Sequence, residues 1–171
     1  MNARKGACLG DVDFVDAGMA STYMEALPRI AEGLDTLLGT AAEAGCRIAL
    51  VELADGIFQR ETAELLRSPG LRGMLDGVLF AAPDAASAAG GVAVLRGWGI
   101  EPDMVTGLLS RSPMASAEAA MATGLSVAGR ADLCDPAFAG AFLAGLGARG
   151  GAVGGAVGRA APADRAAGLA A

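Results

Sequence analysis

A chain of 171 residues is long enough for one buried core, but its chemistry is narrow: 40 alanines, 26 glycines, twelve arginines beside one lysine, and no histidine. The missing histidine excludes a Ser-His-Asp triad, a Cys-His dyad and an HExxH zinc site. A formal charge of −6 argues against nucleic acid as the main partner, because phosphate backbones select a basic stripe.

The three cysteines, Cys8, Cys46 and Cys134, are widely separated and form no CxxC pair, so a reducing cytoplasm is the expected setting. Asp11 and Asp13 interrupt any apolar stretch near the start, and no run of 18 apolar residues follows. Neither a signal peptide nor a membrane association is expected.

Asp11-Val-Asp-Phe-Val-Asp16 is short, rich in Val and Phe and closed by Ala17-Gly18, which predicts a strand feeding a turn. From Met24 the apolar positions step by three and four through Leu27, Ile30, Leu34, Leu37 and Leu38, the stripe of an amphipathic helix. Thr22 and Glu25 have capping-box spacing, and Gly45 is a stop. Arg47-Ile-Ala-Leu-Val-Glu-Leu53 is almost continuously apolar and predicts a strand covered on both faces. A helix over 60–66 ends before Pro69, and Gly77-Val-Leu-Phe-Ala81 predicts the third strand. Asp84 can cap an Ala-rich helix running to Trp98; Met104-Val-Thr-Gly-Leu-Leu109 is the fourth strand, and Ser112-Pro113 opens the next helix. Leu125-Ser-Val-Ala128 is a short fifth strand, and Asp135-Pro136 opens a last helix.

Strands alternating with helices predict an α/β fold, a three-layer α-β-α sandwich around a mainly parallel sheet of about five strands. One domain is expected over 1–145, followed by a Gly/Ala-rich flexible tail over 146–171. In open parallel sheets ligands bind beyond the carboxyl ends of the strands, which directs attention to the loops there. Glu52 at a strand tip, Asp55 on the following turn and Asp16 on another tip are the candidate ligands for Mg²⁺. Ser21 and Thr22 follow Asp16 as phosphate- or cofactor-binding hydroxyls. Gln59 and Arg60 open a helix, where Arg60 could contact phosphate and Gln59 orient water. Asp84 and Arg111 hold equivalent positions on later strands, where a base- or substrate-reading residue belongs. Plainer readings stand beside these: turn chemistry for Asp55-Gly56, capping for Ser21, Thr22 and Asp84, a solvated pair for Arg60 and Glu61. Gly145-Leu-Gly147-Ala-Arg-Gly150 spells GxGxxG but follows a helical segment instead of a first strand, so it reads as chance.

Phe14-Val-Asp-Ala-Gly18, Leu50-Val-Glu-Leu-Ala-Asp-Gly56 and the strands after them, over about residues 11–135, resemble the later portion of a P-loop NTPase. The class is the one containing dethiobiotin synthetase, the cobyrinate amidases and the ParA/MinD ATPases. The resemblance implies a Mg-dependent ATP- or GTP-binding domain in which Glu52 helps hold Mg²⁺, Asp16 faces substrate or γ-phosphate and Asp55 supports them. The departure is the phosphate loop itself: GxxxxGK[ST] is missing, and the lone Lys5 precedes Gly-Ala-Cys. The expectation is therefore a nucleotide-binding domain truncated at its amino terminus and inactive alone. The alternative is a non-catalytic α/β module that binds a small acidic or phosphorylated ligand, or a partner protein, at the same rim. An exposed sheet edge pairing with a second copy would make a homo-oligomer.

Overall fold

The computed structural model describes residues 12–53 and 56–153, and the chain divides between Gly73 and Met74 into two compact units.

The described part of the first unit opens on a turn where a strand was expected. The N–H groups of Asp16, Ala17 and Gly18 donate to the carbonyls of Asp13, Phe14 and Val15, and Gly18 takes φ +75°. Asp13 N–H donates to Asp16 Oδ2 at 2.9 Å. Short carboxylates that serve the local backbone compete with a ladder, and here the local bonds win. A 3₁₀ turn over Thr22–Met24 follows, and helix α1 (Leu27–Glu43) starts only after it. Pro28 explains the late start: in a helix begun at Thr22 its ring would clash with the preceding turn, whereas in the first turn of α1 it is tolerated. Ile30, Ala31 and Gly33 form the buried face of α1. Gly33 admits the Met19 side chain, whose methyl occupies the place a Cβ would take. Arg29 Nη2 donates to Ala17 O at 3.0 Å, tying the turn to the helix.

Residues 47–53 were expected to be a covered strand. They belong to no helix or ladder, and Ile48 is 61%, Leu50 88%, Val51 40% and Leu53 39% exposed. Helix α2 (Arg60–Arg67) is capped by the Gln59 side chain, which accepts from Thr62 N–H at 3.0 Å, and it buries Glu61, Ala63, Leu65 and Leu66. Ser68 Oγ accepts from Leu71 N–H at the start of α3 (Pro69–Met74), where Leu71 is buried. Digestion of the folded chain with chymotrypsin is expected to cut first at Leu50, Leu53 or Phe58, exposed residues outside helix and ladder. First cuts within 79–123, mapped by mass spectrometry, would contradict this.

The second unit keeps the expected alternation in miniature. Strand β1 (Leu79–Ala81) is followed by α4 (Ala85–Gly97) and then by β2 (Met104–Thr106), which pairs with β1 in parallel, Leu79 opposite Met104 and Ala81 opposite Thr106. A 3₁₀ turn over Leu108–Arg111 leads into α5 (Pro113–Thr123), and the chain returns to form a single parallel bridge between Val105 and Val127. Helices α6 (Arg130–Cys134) and α7 (Pro136–Val153) complete the unit. Asp84 caps α4 and Ser112 caps α5, each side chain accepting an N–H three residues on, from Ser87 and Ala115. The core gathers Ala82, Ala88, Val92, Val105, Leu109 and Ala119, with Phe80 and Val127 packed against it. Two glycines permit close approach. Gly91 lies under the Phe80 ring, and Gly107, at φ +99°, lies against the backbone of Ala82. The carboxyl end of α7 runs through the expected start of the tail at 146 to Val153, with Leu146 buried over Gly77. Residues 154–171 lie outside the described ones.

The five-strand sandwich is therefore corrected: the described residues are mostly helical, and among them one sheet of two short parallel strands forms. Of the five predicted strands, two form a ladder, the segment 125–128 supplies one bridge, 11–16 turns on itself as far as it is described, and 47–53 stays unpaired. Ladder residues need a neighbour held at about 4.8 Å. Gly107, in a backbone conformation closed to other residues, ends β2 after three residues. Among the described residues no helix is long and apolar enough to cross a membrane.

Candidate functional site

Parallel strands joined through helices send their following loops to one end, and in the second unit hydrogen bonds stitch three such loops together. Ala82 N–H donates to Thr106 O at 2.9 Å, Leu109 N–H to Ala82 O at 3.2 Å, and the Thr106 hydroxyl to Ala128 O at 2.8 Å. Ser110 Oγ donates to Gly107 O at 2.7 Å, and a Cβ built on Gly129 would sit 3.7 Å from that Oγ. Loops 82–84, 107–112 and 128–130 thus form one rim.

Their charges differ. At the first loop Asp84 accepts from Ser87 N–H at 2.7 Å and from the Ser87 hydroxyl at 3.1 Å, bonds that hold its carboxyl below the ordinary range. This carboxylate already complements the positive end of α4. The other two loops carry exposed arginines, Arg111 at the end of the 3₁₀ turn and Arg130 at the start of α6. The side-chain ion pairs of the described residues include those of Arg29, Arg60 and Arg96 with Glu32, Glu61 and Glu101; Arg111 and Arg130 are in none of these. The α5 terminus beside Arg111 is capped by a neutral serine, so no carboxylate offsets its N–H groups there.

The remaining candidates fall in the first unit. Asp16 sits in the turn, not on a strand tip, with one carboxylate oxygen accepting from Asp13 N–H. Glu52 is exposed on the unpaired segment, and Asp55 lies outside the described residues. Ser21 Oγ accepts from Tyr23 N–H at 3.3 Å, and Thr22 begins the 3₁₀ turn, so Ser21 serves the local backbone. Gln59 caps α2, its Oε1 accepting also from the Thr62 hydroxyl at 2.9 Å. Arg60 bonds Glu61 Oε1 through Nε at 3.1 Å and Nη2 at 2.7 Å. Among the described residues no three carboxylate or cysteine groups cluster as a metal would require.

Sequence reasoning placed Asp84 and Arg111 at the rim and counted Gly129-Arg130, after the fifth predicted strand, among its loops, but gave Arg130 no role; a cation in a strand-end loop was the available signal. The plainer reading of Arg60 and Glu61 as a solvated pair is half right: Arg60 is exposed, but Glu61 is buried. The Arg60 guanidinium, through its hydrogen bonds, holds the Glu61 carboxyl below its ordinary 4.5. A carboxyl whose folded value is depressed adds stability above its unfolded value and loses it as pH falls through the folded one. Thermal melts of the wild type are expected to drop more steeply below pH 4.5 than those of Glu61→Gln. Parallel curves would refute this role for the pair.

Comparison with protein-family models, with curated proteins and with solved structures returned no match.

Proposed function

We propose that the second unit is a binding module for a small phosphorylated ligand, ATP or GTP first among them, held at loops 107–112 and 128–130. The observation that carries the reading is the pair of exposed arginines, Arg111 and Arg130, on neighbouring loops beyond the carboxyl ends of parallel strands. A guanidinium presents a planar fork that meets two phosphate oxygens at once, and such charge-assisted bonds are about twice as strong as neutral ones. The start of α5 adds backbone N–H groups on the same side as Arg111. Asp84 and, at Gly129, the Asp132 carboxylate serve as helix caps, and the phosphate is assigned to the two arginines. The activity is binding and not turnover, in keeping with a sequence that has no glycine-lysine phosphate loop. A reducing cytoplasm suits the thiols Cys46 and Cys134.

Isothermal titration of the full chain with ATP, GTP and inorganic phosphate, each with and without Mg²⁺, tests the reading. Saturable heat is expected with at least one nucleotide. The Arg111→Ala, Arg130→Ala double variant should bind it about tenfold or more weakly, a change of about 1.4 kcal/mol. Arg47→Ala, in the first unit, should leave it unchanged. No heat from any of the three compounds, or equal affinity in the double variant, would overturn the proposal; heat from phosphate alone would narrow the ligand to the anion.

A further inference from the structure

We draw no further inference here: the strongest candidate, the exposed apolar segment 47–53 of the first unit with Ile48, Leu50, Val51 and Leu53 open to solvent, is an unpartnered face for which nothing in the structure shows what covers it.

Discussion

Gly107→Ala is expected to destabilise the second unit by about 3 kcal/mol. Two independent terms add. The backbone there has φ +99°, outside the regions an L side chain readily adopts. A Cβ would also lie 2.6 Å from Ala82 N and 2.7 Å from Ala82 O. Those two atoms cannot yield separately, because Ala82 N–H donates to Thr106 O and Ala82 O accepts from Leu109 N–H. The new methyl group therefore pushes on the bonds that join the strand ends. Gly91→Ala is the instructive comparison. Its Cβ would meet the tip of the Phe80 ring, a half-buried side chain that can swing, and alanine in place of glycine inside α4 returns about 1 kcal/mol of helix preference. Urea unfolding followed by the fluorescence of Trp98, the one tryptophan of the chain and a residue of this unit, reads both variants. A Gly107→Ala midpoint equal to that of the wild type would refute the close approach.

Leu109→Ala should lower stability by about 3 kcal/mol. Leu109 is 1% exposed and packs in a cluster whose other members include Ala82, Ala88 and Ala119. Alanine neighbours have no length with which to fill the space that a deleted isobutyl group leaves, so the cavity persists and its lining loses contacts outright. Leu108, its chain neighbour, is 59% exposed, and Leu108→Ala should stay within about 0.5 kcal/mol of the wild type. The same unfolding experiment separates them. Equal losses at 108 and 109 would mean that this 3₁₀ turn is oriented differently.

The two leucines also mark where sequence pattern informs and where it stops. Between Gly77 and Pro136 the chain was legible because local signals and tertiary demands agree: Asp84 and Ser112 cap the helices that follow them, and the strand cores Leu79–Ala81 and Met104–Thr106 find each other in parallel. Periodicity could not show that Gly107 would cut β2 short, since that depends on how closely Ala82 approaches. Nor could it show that Leu108 faces out and Leu109 in. Before Gly73 the helix signals held, in α1 and α2, but the strand signals misled. Arg47-Ile-Ala-Leu-Val-Glu-Leu53 has strong β composition, but composition does not supply a neighbour, and in the structure none pairs with it. Asp16 was read as chemistry at a strand tip, and instead it organises a turn with Asp13. Of the candidate site, the position of the strand-end loops was recoverable from alternation alone. That Asp84 is engaged was legible as a cap, but that Arg111 is exposed and in none of the side-chain ion pairs of Arg29, Arg60 and Arg96 emerges only after folding.

Parallel pairing of Leu79 with Met104 also orders events in time. The bonds that bracket the ladder, Asp103 N–H to Val78 O and Val78 N–H to Asp103 Oδ2, span 25 positions of chain. No hairpin can nucleate such a pair, so the intervening thirteen-residue helix has to condense first and carry the second strand back alongside the first. Helices form within about a microsecond, and long-range closure is slower. During synthesis the ladder consequently stays open until Thr106 has left the ribosome, and its third member waits for Val127. Assembly of this sheet is a late, vectorial step whose rate should follow the helicity of 85–97.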